Sequence, residues 1–557
     1  MKKIVSYSLA LCGMVLLAGC NGKMAQFQSE YFNTNPNPLE VVGERVPATI
    51  TANVPAKFFK KNAEVTVTPV LVYGSHEDAA NAVTYQGEKV RGNNPVISYD
   101  NGGTVTIPVS YRYVPEMDNS ELYMDFKVRQ GKKEYVLPRV KVADGVLATA
   151  AWANAATVNP ATANDAFQRI IKEQYAADIR FLINQAKVRD SETGSDKVLA
   201  LNERIRQTAE DPNLELTEIN ISSYASPEGA LDFNERLAQD REKATASYLE
   251  KQLKKDKVTE FGELTKDWTA EDWAGFQELV AASNIQDKDL ILSVLSQYKD
   301  PEEREREIRN MSAVFEELAD EILPQLRRSK ITASINVIGK TDAELIKLAV
   351  EEPSKLTVEE LLYAATLTND NATKEKIYKA ATQQYPNDYR SWNNLGKVEY
   401  VAGQYADAKA ALAKAAVLAP KSTEVNMNQG LLSLVDGDYA AANRAFSNAA
   451  GLEELGDALG VYYLKQGDNA AAVKAFAGSK TNNAALSQIL TKDYSKAANT
   501  LNAVANPDAT TYYLMAVVGA RTNNEQAVRS NLQKAVQLNP ALLNKAKSDL
   551  EFSKYTF

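Results

Sequence analysis

The sequence predicts a multidomain chain in which a β-sandwich is followed by an α/β sandwich and then by an all-α solenoid. Three observations predict this order. Short runs of alternating apolar and polar residues, separated by turns, fill residues 41–150. Strands alternate with helices over residues 165–345, and from residue 355 onward helices recur at an interval of 34 residues. A chain of 557 residues is long enough for three or four domains.

Residues 1–19 have the pattern of a secretory signal. Lys2 and Lys3 precede a mostly apolar stretch, Ile4 to Leu17, that is shorter than the ~20 residues needed to cross a bilayer. The stretch ends in LAGC, which resembles a bacterial lipobox, and the resemblance implies cleavage before Cys20 and acylation of Cys20. Two or more acyl chains hold a protein stably on a membrane. Cys20 is therefore the predicted lipid attachment site, with an ordinary signal and an incidental cysteine as the alternative.

The composition excludes several classes of function. The net charge is −9 and no basic stripe occurs, so we expect no nucleic-acid partner. The two cysteines, Cys12 and Cys20, leave no pair for a disulfide in the mature protein. A single histidine, His76, in a polar loop, leaves little to build a histidine-based triad or a histidine-rich zinc site from, and a solvated loop histidine is the favoured interpretation. We therefore expect no catalytic residues, no metal and no cofactor.

The amino-terminal region is predicted to be a tether followed by a β-sandwich. Residues 20–40 are polar and repeat Asn-Pro, which is typical of a tether between a lipid and a first domain. Over residues 41–150, residues such as Val105, Ile107 and Val109 share one face of a strand.

Residues 151–164, AWANAATVNPATAN, are small and polar and are predicted to be a linker. Residues 165–345 then read as strands around Ile179–Ile183, Glu215–Tyr224 and Arg327–Gly339, with intervening helices. A helical insertion is predicted at about residues 264–325.

The stretch SSYASPEGALDFNERLAQDREKATASYL, residues 222–249, contains Gly229 in a turn and Asn234 and Arg241 on the following helix. At these positions it resembles the core motif of OmpA-like domains, the peptidoglycan-binding module of many outer-membrane proteins. The YASPEG variant is similar to that of lipoproteins and outer-membrane proteins of Bacteroidetes. The resemblance implies an α/β sandwich and makes Ser226, Gly229, Asn234 and Arg241 candidate peptidoglycan-binding residues.

The resemblance also implies how a ligand would be held. In the family, an aspartate three residues before the turn glycine and the arginine together grip the diaminopimelate of the wall peptide. Here Ser226 replaces the aspartate, and losing one charged hydrogen-bond partner costs about 1.5–3 kcal/mol. The expected peptidoglycan binding is therefore weak and depends on Arg241. The alternative is that Arg241 is a solvated helix residue that pairs with a neighbouring acid.

The carboxyl-terminal region carries landmarks that recur after 34 residues. The first set is Trp392, Gly396, Gly403, Tyr405, Ala408, Ala415 and Pro420, and five of them recur as Gly430, Gly437, Tyr439, Ala442 and Ala449. The pattern resembles tetratricopeptide (TPR) repeats, which are pairs of helices. The resemblance predicts about six repeats over residues 355–557, with a carboxyl-terminal cap.

Stacked TPR helix pairs curve, so their first helices line one concave face. The first helices carry Asn393, Asn394, Asn426 and Asn428, whose amides can hydrogen-bond the backbone of an extended peptide. These four asparagines are the candidate partner-binding residues, and we expect them to be exposed. The alternative is that they are only solvated.

Together the motifs predict a non-enzymatic outer-membrane lipoprotein on the periplasmic face. It would link the membrane or a barrel complex to peptidoglycan and recruit envelope proteins through its repeats. One alternative is an accessory subunit of an outer-membrane assembly or secretion machine, with the OmpA-like fold used for docking. Another is a surface adhesin or fimbrial anchor, which NGKMAQ after Cys20 disfavours because it lacks an acidic cluster.

Overall fold

The computed structural model describes residues 22–285, 288–310 and 316–556, so the signal at 1–19 and Cys20 lie outside the described residues. The chain divides into two compact units. The first unit contains the chain up to Asn164 together with Asp370 onward, and the second runs from Asp165 to Asn369. The second unit is thus inserted in sequence between two parts of the first. Within the described residues, no helix is both long and apolar enough to cross a membrane.

The amino-terminal part of the first unit is sheet-rich, as predicted. A three-stranded sheet has the order β1–β3–β8, and a larger sheet has the order β10–β9–β4–β6–β7, with β5 on β4. Their inward-facing residues, such as Ile50, Ile107, Val65 and Phe126, form one apolar core. The strands are β1 Phe32–Asn35, β2 Leu39–Glu40, β3 Arg45–Val54, β4 Ala63–Tyr73, β5 His76–Ala79, β6 Val83–Gly87, β7 Val96–Ile97, β8 Gly103–Arg112, β9 Ser120–Gln130, β10 Lys133–Asp144 and β11 Val146–Leu147.

Residues 22–40 do not form a free tether, so this prediction is wrong for the described part of 20–40. Met24 and Phe27 are buried, and the Phe27 ring stacks on Phe126 with centroids 4.3 Å apart. Strand β1 pairs antiparallel with β3. The tether was predicted because most residues of this stretch are polar. The few apolar side chains among them, Met24 and Phe27, pack into the core.

The second unit is a four-stranded sheet, in the order β12–β15–β13–β14, with helices packed against it. Its core joins sheet residues such as Ile219 and Ile331 to Leu249 on α3. The strands are β12 Ile170–Arg180, β13 Leu214–Tyr224, β14 Glu263–Thr269 and β15 Arg328–Ile338. The helices are α1 Asp190–Thr193, α2 Asp196–Thr208, α3 Leu231–Lys255, α4 Trp273–Ala282, α5 Lys288–Gln297, α6 Pro301–Asn310, α7 Leu323–Leu326, α8 Asp342–Glu351 and α9 Val358–Thr366, with a π-helical turn at Leu318–Ile322 before α7.

The predicted insertion at 264–325 is not wholly helical. It begins in β14, which pairs parallel with β13 and extends the sheet. The sequence did not reveal this strand because ELTKDWT is mostly exposed, so it lacks the apolar alternation of a half-buried strand. The helices that follow have a small core of their own, including Phe276, Ile291 and Leu318.

The carboxyl-terminal part of the first unit, which we call the repeat array, is helical and repetitive, as predicted. Helix α10 is followed by five helix pairs and a short terminal helix. Within the pairs the helices approach closely, since a Cβ on Gly430 would lie 2.5 Å from the Phe446 ring. The helices are α10 Asn371–Gln384, α11 Tyr389–Val401, α12 Tyr405–Leu418, α13 Thr423–Val435, α14 Tyr439–Ser447, α15 Leu455–Gln466, α16 Asn469–Ala475, α17 Asn482–Leu490, α18 Tyr494–Asn502, α19 Ala509–Arg521, α20 Glu525–Leu538 and α21 Leu542–Ser548.

The boundary of the array differs from the predicted one at residue 355. Helix α9, which would be the first helix of a sixth pair, falls in the second unit, where it packs on α8. The array of the first unit therefore begins at Asp370.

The turn inside each helix pair is marked by a residue in the left-handed backbone region. These turn residues are Gly403, Gly437, Gly467, Lys492 and Asn523. Their spacings are 34, 30, 25 and 31 residues, so the interval shortens after the second pair. The turn residue, rather than a fixed interval, is the reliable reference for comparing repeats.

Glu399 of α11 makes the array sensitive to pH. Its side chain is buried, and burial raises its pKa to about 7, whereas a glutamate in an unfolded chain titrates near ~4.3. The folded state therefore binds the proton more tightly, and the resulting stability is lost as the pH rises through about 7.

We expect Glu399→Gln to raise the free energy of unfolding by about 1–2 kcal/mol at about pH 8, with a benefit that fades toward about pH 4. Thermal unfolding over this range measures the change. If Glu399→Gln raised the free energy of unfolding equally at every pH, Glu399 would not have the raised pKa.

Candidate functional site

Residues 148–164, which we call the connecting segment, lie along the repeat array. Ala153, Ala155, Val158 and Ala161 belong to the same apolar core as the array helices. The segment contains two short 3-10 turns, Thr149–Trp152 and Ala155–Thr157. The prediction of a free linker at 151–164 is therefore wrong, because its small side chains pack into the array.

Three asparagines of the array each bind one residue of the connecting segment through two hydrogen bonds. Asn394 accepts from the backbone N–H of Ala163 and donates to its carbonyl, both at 2.9 Å. Asn428 does the same with Ala161, at 2.7 and 2.8 Å. Asn483 does so with Asn154, at 3.0 and 2.8 Å. These six hydrogen bonds are all made to backbone groups, and Asn483 donates in addition to Thr157 Oγ1 at 3.0 Å.

These three asparagines occupy equivalent positions in their repeats. Asn394, Asn428 and Asn483 each precede the turn residue of their own pair by nine residues. In the third and fifth pairs this position is Ala458 and Leu514. Sequence reasoning missed Asn483 because it counted in steps of 34; alignment on the turn residues would have found it.

The predicted asparagines are not exposed in the way that the sequence suggested. Asn393, Asn394 and Asn428 are buried. Asn393 donates to Asn394 Oδ1 at 3.1 Å and accepts from Asn428 Nδ2 at 3.0 Å, so the three amides are linked. The expectation of a free face is wrong here because the chain itself supplies the extended backbone.

Asn426 has a different environment. It is only partly buried, and its amide donates to the carbonyls of Pro420 and Ser422, at 3.1 and 2.7 Å. Both partners precede it on the same part of the chain, so this side chain supports the start of α13 rather than the connecting segment.

Further side chains of α11 and one of α19 complete the site. Tyr400 donates to the carbonyl of Ala155 at 2.7 Å, and Lys397 Nζ donates to Thr162 Oγ1 at 2.6 Å. The Trp152 ring packs 4.6 Å from that of Tyr513 in α19. We call the surface of the first helices α11, α13, α15, α17 and α19 the groove. Its chemistry suits an extended peptide with small side chains.

The carboxyl terminus closes the groove at its far end. Glu551 is buried and accepts from Thr149 Oγ1 at 2.5 Å. The same carboxylate accepts two hydrogen bonds from Arg521, each at 2.7 Å. The predicted cap therefore also binds the start of the connecting segment.

In the second unit, Arg241 is 1% exposed and bonds only to backbone in the contacts described. Its guanidinium donates to the carbonyls of Gln185, Tyr224 and Leu182, at 3.0, 2.7 and 3.4 Å, and it lies 5.2 Å from the Phe181 ring. Burial lowers its pKa to about 10, so it remains protonated at neutral pH. The alternative, a solvated helix residue paired with an acid, is wrong because Arg241 is buried on carbonyls, whereas its contact with a ligand stays a prediction.

Ser226 does not meet Arg241 at an open site. Its hydroxyl donates to Glu228 Oε1 at 2.8 Å, and that carboxylate pairs with Arg327 at 2.7 Å. Glu228 thus supplies a negative charge two residues after position 226, where the family has aspartate. Arg327 already neutralises that charge.

The turn itself has the predicted form. Gly229 has φ +136°, a conformation that favours glycine, and its carbonyl accepts from the Asn234 side chain at 3.3 Å. The N–H of Gly229 donates to Glu305 of α6 at 3.0 Å. The structure thus brings Gly229 and Asn234 together. The N–H of Gly229 and the amide of Asn234 both donate to groups of the protein itself.

The described residues contain no group of three or more His, Cys, Asp or Glu side chains that could hold a metal ion. His76 is exposed, in β5, with its ring 5.7 Å from that of Tyr73.

No protein-family model matches this chain, and no curated protein matches it. Solved structures that match part of this chain include a tetratricopeptide repeat protein from Parabacteroides merdae, with 13% identity, a TM-score of 0.30, and coverage of 44% of this chain and 97% of that one. PilF of Pseudomonas aeruginosa has 14% identity, a TM-score of 0.29 and coverage of 38% and 96%. Cut9–Hcn1 of the APC/C has 16% identity and a TM-score of 0.33; the match covers 37% of this chain and 45% of that chain. The TPR assignment rests on the helix pairs and their turns.

Proposed function

We propose that this protein is a non-enzymatic scaffold that binds other proteins, anchored by lipid to the periplasmic face of a bacterial outer membrane. The observation that carries the scaffold role is the set of two-bond contacts from Asn394, Asn428 and Asn483 to extended backbone. A groove that reads backbone is a recognition surface for protein chains. The lipobox-like LAGC supports the anchor.

The groove holds a segment of its own chain, which joins distant parts of the sequence. The connecting segment continues from the sheet-rich amino-terminal part of the first unit. Further contacts link this sheet-rich part to the repeat array. Lys545 pairs with Asp118 at 3.2 Å, and Tyr439 donates to Glu44. The scaffold would thus be one body, the first unit, that carries the second unit as an insertion.

A second candidate function is an accessory subunit of an outer-membrane assembly or secretion machine, with the second unit used for docking. The observation that favours it over wall binding is the bonding of Arg241 to three carbonyls. Three of the five N–H donors of this guanidinium are engaged, and the side chain is only 1% exposed, so a ligand carboxylate has little access to it. We therefore place peptidoglycan binding, and a surface adhesin, below these two functions.

Ser226→Asp tests the remaining possibility of wall binding. We expect the substitution to leave retention of the full chain on isolated sacculi unchanged, because Arg327 already neutralises Glu228 beside it. Increased retention that Arg241→Lys removes would contradict this and restore the peptidoglycan function.

Replacing Cys20 with alanine tests the anchor. We expect the variant to lose fatty-acid labelling and to leave the membrane fraction, since without its acyl chains the protein keeps no stable anchor. A variant that is still labelled and still in the membrane fraction would contradict the assignment.

In-cell crosslinking tests the scaffold function. Wild-type protein, crosslinked in its own cells and purified under denaturing conditions, should carry a defined set of envelope proteins. Cys20→Ala should lose that set. Crosslinks to sacculi alone, or none, would argue against a protein scaffold.

A further inference from the structure

The connecting segment leaves one part of the groove unfilled. A cavity of 710 Å³ lies beside Asn159 and is also lined by Lys397, Glu453, Glu454, Asp457 and Ser479. It lies at the third helix pair, where Ala458 takes the place of the backbone-binding asparagine. Its volume is within the ~300–1,000 Å³ typical of ligand sites.

The charges around this cavity favour a basic group. Three carboxylates, from Glu453, Glu454 and Asp457, and one ammonium, that of Lys397, line the cavity. Lys397 Nζ already donates to Thr162 at 2.6 Å. A lysine or arginine side chain that entered the cavity would therefore meet an excess of negative charge.

The asparagine contacts to Ala161 and Ala163 do not depend on the sequence of the connecting segment, because they are made to backbone groups. An extended chain with small residues at the positions of Ala155, Ala161 and Ala163 could form the same backbone bonds. The resident segment adds side-chain contacts through Trp152, Thr157 and Thr162. Its attachment also gives it an effective concentration on the order of millimolar.

A competitor needs a contact that the resident segment lacks, and the cavity offers one. We propose that the groove is a receptor for an extended peptide of a partner protein. This peptide has small side chains at the positions of Ala155, Ala161 and Ala163, and Lys or Arg at the position of Asn159. It replaces the connecting segment. The proposal rests on the scaffold function and names the class of partner.

A test within the full chain uses position 159. Asn159→Arg should raise the melting temperature of the first unit by about 2–4 °C, by filling the cavity and pairing with Asp457. Asn159→Glu should lower it. Adding Asp457→Asn to Asn159→Arg should remove the gain. If the arginine and glutamate variants shift the melting temperature equally, the cavity does not select a basic side chain and the proposal fails.

A second test measures exchange. The probe is a labelled peptide with the sequence of residues 150–164 and arginine in place of Asn159. Ala163→Pro in the full chain removes the N–H that Asn394 accepts, and so loosens the resident segment. This variant should bind the probe at least tenfold more tightly than wild type. A probe with glutamate at that position should bind about tenfold more weakly.

Asn428→Ala in the loosened protein should abolish probe binding, whereas Asn426→Ala should not. Trp152→Ala, which removes the ring packed on Tyr513, is a second loosened variant in case the proline unfolds the array. A folded, loosened protein that does not bind the probe overturns the proposal, because the groove then binds only the connecting segment of its own chain. The crosslinked partner set is scored separately, so that outcome leaves the scaffold function standing.

Discussion

Replacing Asn428 with alanine is expected to lower the free energy of unfolding of the first unit by about 2–4 kcal/mol. The substitution leaves the N–H of Ala161 without its acceptor and Asn393 Oδ1 without its donor in the contacts described, and each such buried group costs about 1–3 kcal/mol. The carbonyl of Ala161 loses one donor but keeps the other, Asn393 Nδ2 at 3.3 Å. Denaturant unfolding measures the loss, and hydrogen exchange of residues 155–164 should show faster exchange at Ala161.

Asn426→Ala is the matched control. It removes the same chemical group two residues earlier on the same helix, but Asn426 bonds only to the carbonyls of Pro420 and Ser422 in the contacts described. We expect a loss below about 1 kcal/mol and unchanged exchange in the connecting segment. Equal losses for the two variants would show that the backbone contacts of Asn428 contribute nothing beyond helix stability.

The repeat architecture was predictable from the sequence because small residues are required at fixed positions within each helix pair. Gly396 and Gly430 lie where a Cβ would collide with Leu412 and Phe446, so only the smallest residue fits. Such constraints act between the two helices of one pair and recur along the sequence. The later pairs were harder to place because their turn residues are not 34 apart.

The content of the groove was not predictable in the same way. Asn428 and its partner Ala161 are 267 residues apart, and no local pattern connects them. Alanines at alternate positions, such as Ala153, Ala155, Ala161 and Ala163, were the only available signal. Small side chains at alternate positions fit both a solvated linker and a buried extended chain, and only the partner surface distinguishes these two.

The second unit shows the same limit in its candidate site. The motif placed Gly229 in a turn and Asn234 on the helix that follows, and the structure adds a hydrogen bond between them. One carbonyl partner of Arg241, Tyr224, lies in the motif, but the other two, Leu182 and Gln185, lie in the loop after β12, outside the motif. Family position identified the residue, but its role depends on which groups fill the space around the guanidinium.

Replacing Arg241 with alanine is expected to destabilise the second unit by about 3–5 kcal/mol and to leave retention on sacculi unchanged. The guanidinium links α3 to the carbonyls of Leu182, Gln185 and Tyr224, and its removal takes a charged donor from all three. The carbonyl of Leu182 keeps the N–H of Gln185 at 3.2 Å. Hydrogen exchange of β13 and the loop after β12 would localise the loss. Thermal unfolding would measure its size.

Two variants make this result specific. Arg236→Ala removes the same side chain from an exposed position on α3, where it donates only to Asp232 in the contacts described, and should cost less than about 1 kcal/mol. Arg241→Lys should restore little stability, because one ammonium cannot reproduce the planar donors that reach three carbonyls. If Arg241→Ala leaves the second unit stable but abolishes retention on sacculi, the arginine is a ligand-binding residue after all. The docking function would then give way to wall binding.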